Sequence, residues 1–114
     1  MKEYRIINLE LGMPRVDDAM KRLTNEIRMA KGHKIRLLKI IHGFGSTGSG
    51  GKIRVAARAQ LERLQKRGYV KYFIPGERLS IFDEQTRQAM TYCGELRGDS
   101  DLERHNNGVT LVVL

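Results

Sequence analysis

The sequence predicts a small α/β sandwich, because segments with strand character alternate along the chain with segments of helical period. With 114 residues, of which 40% are hydrophobic, the chain can bury one core. It is too short for two ordinary domains, which need about 100 residues each. Strands that are joined through helices tend to run parallel, and the helices must cover the sheet. We therefore expect residues 1–114 to form a single domain.

Four segments have the composition of strands. They are rich in β-branched and aliphatic residues and lie at residues 4–9, 35–41, 69–74 and 109–114. The second is almost continuously apolar, which is typical of a central strand covered on both faces. The fourth follows Asn107 and Gly108, a pair that favours a tight turn. Each strand is thus bounded by turn-forming residues or by a helix.

Two longer segments have the apolar period of helices. The first follows Pro14, carries Asp17 and Asp18 where a helix N-terminus favours negative charge, and ends near Gly32. The second runs from Lys52 to Gly68. A third, short helix is predicted at residues 83–92, within a weakly patterned stretch that we interpret as an insertion at about residues 77–107, before the last strand.

Charge is distributed unevenly along the chain. The formal net charge is +8 with a pI near 10.0. Residues 28–71 hold twelve Lys or Arg against one acid, Glu62, an excess of +11, whereas residues 72–114 carry an excess of three acids. A solvated surface normally mixes both signs, so this block indicates a polyanionic partner, and nucleic acid is the expected one. An ordinary basic surface is the alternative.

Cysteine content and hydropathy limit the cellular compartments in which the protein is expected. Cys93 is the only cysteine, which excludes an intramolecular disulfide and a cage of thiolate metal ligands. No apolar run approaches the length of a membrane span or has the layout of a signal peptide. We expect a cytoplasmic protein with no membrane partner.

The segment between the second strand and the second helix is the candidate binding site. It contains Gly43, Phe44, Gly45, Ser46, Thr47, Gly48, Gly50 and Gly51. Glycines let backbone N–H groups approach an anion closely, and the N-terminus of the following helix adds its dipole. Lys52, Arg54 and Arg58 supply full positive charges. The pattern predicts a phosphate site, against the alternative of a flexible connector.

Two nucleotide-binding motifs fit this loop poorly. Gly43, Gly45 and Gly48 have the spacing G-x-G-x-x-G, but a dinucleotide fold also places an acidic residue at the end of the next strand, roughly 20 residues on, and this chain has Lys71 in that vicinity. A P-loop requires Ser or Thr after the lysine, and Lys52 is followed by Ile53. Nucleotide binding is therefore a minor alternative.

His42 is the candidate catalytic residue, because it stands where the buried strand opens into the loop. In α/β sheets ligands bind beyond the carboxyl ends of the strands, and an imidazole there could hold a phosphate or transfer a proton. A structural histidine is the competing interpretation. His33 and His105 are expected at the surface, and no metal site is predicted from them. Asp99, Asp101 and Glu103 are interpreted as a solvated acidic loop that could in principle bind a hard cation.

The sequence resembles the small MutS-related (Smr) domain family. The resemblance rests on IIHGFG at residues 40–45, the basic helix after it, FIPGE at 73–77 and NNGVTLVVL at 106–114. It implies a βαβαββ sandwich with a mixed four-stranded sheet, similar to the C-terminal domain of translation initiation factor three. It also implies binding of DNA or RNA and, in some members, endonuclease activity.

The sequence departs from the family at the first strand. Active members carry L-D-x-H there, where this chain has Ile7, Asn8, Leu9 and Glu10. Asn8 and Glu10 are expected to share one strand face, but neither reproduces the acid and the imidazole of the motif. Binding is thus implied more strongly than cleavage.

Three hypotheses follow from the sequence. The leading one is a nucleic-acid-binding Smr domain, with endonuclease activity in which His42 acts with Glu10 or Asn8, and a divalent cation such as Mg²⁺ would be compatible with it. The alternative is a non-catalytic RNA- or ribosome-associated module. A protein-interaction adaptor that uses residues 77–107 is the least supported.

Overall fold

The computed structural model describes residues 3–44 and 50–114. The predicted residues Gly45, Ser46, Thr47 and Gly48 lie outside the described residues. In chain order the elements are β1 (Tyr4–Asn8), α1 (Val16–Gly32), β2 (Leu37–Ile41), α2 (Gly50–Lys66), β3 (Tyr72–Pro75), α3 (Glu84–Tyr92) and β4 (Val109–Val113), with short 3-10 helices at Gly76–Arg78 and Gly94–Gly98. The predicted order of strands and helices is confirmed.

The four strands form one mixed sheet in the order β1-β2-β4-β3. β1 and β2 are parallel, with Asn8 opposite Ile41 at the carboxyl end. β4 runs antiparallel to both β2 and β3. β1, β2 and β3 therefore point the same way, and their carboxyl ends define one edge of the sheet, which we call the loop edge. The opposite edge is the distal edge.

Helices α1 and α2 cover one face of the sheet. Their apolar stripes, which include Leu23 and Ile27 of α1 and Ile53 and Leu61 of α2, are fully or almost fully buried against Leu38 and Ile40 and their neighbours. Alternation along β2 directs these strand residues to the helical face. Because α1 and α2 each connect strands that run the same way, both helices begin at the loop edge and end at the distal edge.

The stretch between β3 and β4 covers the other face. Leu79, Met90 and Leu96 pack against Leu37 and Leu111 in a second core cluster. Every residue of β4 is consequently buried. The predicted α/β fold with a mixed four-stranded sheet is confirmed, and this stretch forms a further layer on the second face of the sheet.

Several element boundaries differ from the prediction. β3 begins at Tyr72 and not at Tyr69, because Gly68 adopts a left-handed conformation (φ +82°) and the Tyr69 N–H donates to the Leu64 carbonyl, closing α2. β2 begins at Leu37. The predicted helix from Asp83 is confirmed with Asp83 as its N-cap, whose carboxylate accepts the Thr86 N–H at 2.9 Å.

No helix within the described parts of the chain is both long and apolar enough to cross a membrane.

Candidate functional site

The loop after β2 is anchored to the start of β4. The backbone N–H groups of His42 and Gly43 both donate to the Gly108 carbonyl, at 3.0 and 2.9 Å. Gly43 has φ +76°, a conformation that L side chains rarely adopt. A Cβ on Gly108 would lie 3.1 Å from Phe44 Cδ1, so the two loops are in close contact. The glycines at 43 and 108 therefore let the chain turn where β2 ends.

Glu10 lies against this loop. A Cβ built on Gly43 would lie 1.8 Å from Glu10 Oε1, which puts the carboxylate directly over the Gly43 backbone. The Glu10 N–H donates to Asn8 Oδ1 at 2.9 Å, forming a turn that ends β1. The strand stops at Asn8, so Glu10 belongs to the turn. The expectation that Asn8 and Glu10 share one strand face was therefore wrong. Both side chains are exposed at the loop edge.

His42 is fully buried and both of its ring nitrogens are hydrogen-bonded. Nδ1 lies 2.7 Å from the Gly43 carbonyl oxygen and Nε2 lies 2.8 Å from Thr110 Oγ1. A carbonyl can only accept, so Nδ1 carries the proton. In the neutral ring Nε2 then accepts from the Thr110 hydroxyl. That hydroxyl oxygen in turn accepts the Arg58 Nε–H at 3.1 Å. The hydrogen bonds run in one direction, from Arg58 through Thr110 and His42 to Gly43.

This environment keeps His42 neutral. Burial lowers the pKa of His42 to about 4, and the nearby charges of Arg58 and Arg54 act in the same direction against the partial compensation from the Gly43 carbonyl. Since neither ring nitrogen is exposed or free in this conformation, the geometry favours a positioning role for His42 over direct contact with a substrate.

Arg58 is held by an acid. Its guanidinium makes two hydrogen bonds to Glu77, NH1 to Oε2 at 2.9 Å and NH2 to Oε1 at 2.7 Å. Burial alone would raise the pKa of Glu77, but the hydrogen bonds and charge of Arg58 lower it below its ordinary value. This fork-to-fork pair ties α2 to the 3-10 helix after β3. Arg58 therefore fixes the loop edge, and less of its charge is free for a ligand than the sequence predicted.

Three other predicted site residues face outward. Phe44 is 54% exposed, Lys52 is exposed and Arg54 is half-buried in the first turns of α2. Within residues 3–44 and 50–114, neither Lys52 nor Arg54 makes an ion pair. Gly50 and Gly51 form the first residues of α2. The loop edge thus presents a helix start, two cations and an aromatic ring.

Two members of this site were missed by the sequence analysis. Thr110 and Glu77 are far from His42 in sequence and become its neighbours only through the antiparallel pairing of β4 and the end of β3. Both residues lie in segments of the resemblance, Thr110 in NNGVTLVVL and Glu77 at the end of FIPGE, and this was the available signal.

The interpretation of Asp99 and Asp101 as a solvated loop was wrong. Both carboxylates contact the buried Lys39 of β2, with Lys39 Nζ 3.0 Å from Asp99 Oδ1, and Tyr4 donates its hydroxyl to Asp99. Burial would lower the pKa of Lys39, but the two acids raise it above its ordinary value. The pair neutralises a lysine inside the sheet and so serves the fold. In the described part of the chain, no group of three or more His, Cys, Asp or Glu side chains is arranged to hold a metal ion.

The fold and the loop edge define a class of protein, a small α/β domain with an H-G-x-G turn after a central strand and a basic helix behind it. The sequence model of the Smr domain matches residues 9–78, and the chain therefore belongs to the Smr domain family. Among solved structures, the chain is similar to the crystal structure of the Smr domain of Thermus thermophilus MutS2, with a TM-score of 0.60, 20% identity and 96% of each chain covered. This likeness shows the fold. No curated protein matches the sequence.

Proposed function

We propose that this Smr domain binds nucleic acid through the sugar-phosphate backbone. The main support is a set of cations on the helical side of the molecule that have no carboxylate partner within the described residues. They are Arg28, Lys31, Lys34, Lys52, Arg54, Arg63, Lys66 and Arg67. A polyphosphate would neutralise these charges and release its counterions. Membership of the Smr domain family supports the same function.

The start of α2 supports a phosphate contact at the loop edge. A helix N-terminus favours negative charge, yet the first turn of α2 contains no acid and instead carries Lys52. A cation at that position costs roughly 0.3–1 kcal/mol, and a bound phosphate would offset this cost. Phe44, which is exposed next to Gly108 at the same edge, could stack on an unpaired base.

Salt dependence tests the binding proposal. Because phosphate contacts dominate, affinity for DNA and RNA oligonucleotides should fall steeply between about 50 and 200 mM salt, with little preference for sequence. The double variant Lys52→Glu, Arg54→Glu should bind more weakly and show a smaller salt slope in fluorescence anisotropy. Binding that is independent of salt would contradict the proposal.

Phosphodiester cleavage is a second candidate function. The observation that favours it is the Glu10 carboxylate over Gly43, where it could act as a general base for water next to a phosphate held by the loop. The burial of His42 and the loss of the L-D-x-H motif instead support the non-catalytic alternative, a module that binds RNA, including ribosomal RNA.

Plasmid nicking and cleavage of structured RNA, each with and without Mg²⁺, separate the two candidates. If the protein cleaves, Glu10→Gln should abolish cleavage while oligonucleotide affinity is retained. Cleavage that survives in Glu10→Gln would remove Glu10 from the mechanism. Binding by the wild type without products would support the non-catalytic module.

A further inference from the structure

The basic block of residues 28–71 is divided by the fold between the two edges of the sheet. Lys52 and Arg54 begin α2 at the loop edge, where Glu10, Asp17 and Asp18 also lie. A larger group lies where α1 and α2 end, at the distal edge. We call it the distal basic surface, and it comprises Arg28, Lys31, Lys34, Arg63, Lys66 and Arg67.

Contacts between the two helices bring these cations together. Gln60 of α2 donates to Thr24 of α1 at 3.1 Å, which fixes the two helices side by side. Both helices run in the same direction, so the turn after this contact, which carries Arg28 on α1 and Arg63 on α2, continues towards the distal edge in both. Near the distal edge, where both helices end, Lys31 Nζ donates to the Tyr69 carbonyl at 2.8 Å. This bond joins the end of α1 to the turn after α2.

The charges of the distal basic surface are not neutralised by the protein. All six side chains belong to exposed residues. Within residues 3–44 and 50–114 none of them forms an ion pair, and the partners of Lys31 and Arg63 are the uncharged Tyr69 carbonyl and Gln60. Glu62 is the one acid on this part of α2.

Helix dipoles account for only a small part of this charge. Cations favour helix C-termini, but each terminus is equivalent to about half a negative charge, so two helix ends offset about one of the six cations. Glu62 offsets another. An excess of about four positive charges remains on one exposed groove, and such an excess raises the free energy of the unliganded fold by self-repulsion.

We infer that the distal basic surface is a second phosphate-binding site, separate from the loop edge, which holds the backbone of the same polynucleotide. This inference rests on the proposed function. A helix of 17 residues is about 25 Å long, so a strand that follows α2 from Lys52 to Arg67 spans roughly seven nucleotides at about 3.4 Å each. Along this path the exposed Val55 and the half-buried Ala59 carry no charge.

Three double variants of equal charge change test the inference. Lys66→Glu, Arg67→Glu removes part of the distal basic surface, Lys52→Glu, Arg54→Glu alters the loop edge, and Arg97→Glu, Arg104→Glu is the matched control. The control residues are exposed and without ion pairs in the described structure, and they lie in the stretch that covers the opposite face of the sheet. Each protein is titrated into single-stranded oligonucleotides of about 5 and about 20 nucleotides and into a duplex of about 20 base pairs.

The distal variant should bind the long oligonucleotide more weakly than the control, with a log–log salt slope smaller by about 2, because each lost phosphate contact removes about 0.9. Its affinity for the short oligonucleotide should change less than that of the loop-edge variant. Charge reversal could disturb the end of α2, so the neutral variant Lys66→Gln, Arg67→Gln is measured as well. It should weaken binding of the long oligonucleotide in the same way, but by a smaller factor.

Distal variants that match the control on long oligonucleotides would overturn the inference, while loss of binding in the loop-edge variant alone would leave the proposed function standing. Absence of binding by the wild type would overturn both. A lipid ligand is the remaining outcome. If the wild type binds vesicles that contain phosphatidylserine but binds no oligonucleotide, and if the distal variant loses the vesicle binding, the surface binds lipid and the inference is overturned.

Discussion

His42 shows how a single buried residue can hold two elements of the loop edge together. Its neutral ring accepts from Thr110 and donates to the Gly43 carbonyl, so it joins β4 to the turn after β2. A protonated ring would need a second acceptor at Nε2, where the Thr110 hydroxyl already receives the Arg58 Nε–H. Burial is the largest cause of the low pKa of His42, and the charge of Arg58 lowers it further.

The pKa of His42 predicts a pH dependence of folding. The folded-state pKa is about 4, below the value of about 6.5 expected in the unfolded chain. The unfolded chain therefore binds this proton first, and stability that is complete above pH 6.5 declines as the pH falls towards 4, by about 3 kcal/mol in total. Urea unfolding across this range measures the decline.

The variant His42→Asn is the control for this prediction, because an amide can still donate to Gly43 and does not titrate. It should be less stable than the wild type at pH 7 and should lack the His42 share of the decline between pH 6.5 and 4. Nuclear magnetic resonance should find the wild-type ring neutral at pH 5.5 with the proton on Nδ1. A ring that titrates near 6.5 would refute the assignment.

At the level of elements, the stretch between β3 and β4 is held to the sheet by polar as well as apolar contacts. Lys39 projects from β2 towards Asp99 and Asp101, and Asp101 also accepts from Asn106 Nδ2 at 2.9 Å. Asn106 Oδ1 accepts the Gly108 N–H at 2.8 Å, and the Gly108 carbonyl holds the turn at Gly43. A chain of hydrogen bonds through Asn106, Gly108 and Gly43 thus connects the acidic pair to the loop edge.

Removal of the buried cation should be costly. Lys39→Met leaves two carboxylates without their partner, which we expect to lower the free energy of unfolding by about 3–5 kcal/mol at pH 7. The gap to the wild type should narrow at acidic pH, because, against the opposing effect of burial, Lys39 lowers the pKa of Asp101 in the wild type, and this stabilisation is lost when Asp101 takes up a proton. Chemical denaturation of Lys39→Met beside Arg104→Met, an exposed cation without an ion pair in the described structure, measures this. Equal stability of the two variants would contradict the assignment of a structural ion cluster.

On the scale of the whole molecule, the fold determines which cations are paired inside and which remain exposed at the two edges of the sheet. A linear count puts all twelve cations of residues 28–71 in one block. In the folded chain Lys39 is neutralised inside, Arg36 pairs with Glu3 and Arg58 pairs with Glu77. What remains exposed is concentrated at the distal edge, with a smaller group at the start of α2. The electrostatic footprint is therefore longer than the loop that the sequence singled out.

The order of elements and the turn at His42 and Gly43 could be predicted from the sequence, because both depend on local patterns. Apolar period 3.6, β-branched runs and glycines at turns are properties of neighbouring residues, and they located β2, α2 and the helix after Asp83. The position of His42 at the end of a central strand followed from the same patterns.

Only the tertiary structure decided which side chains meet. Thr110 and Glu77 reach the His42 network, Glu10 reaches Gly43, and Asp99 and Asp101 reach Lys39, in each case across strand pairings or layers that no local pattern encodes. Local sequence thus determined the elements and the total charge. The packing of the sheet decided which charges are cancelled and which stay exposed, because cancellation depends on distances between residues that are remote along the chain.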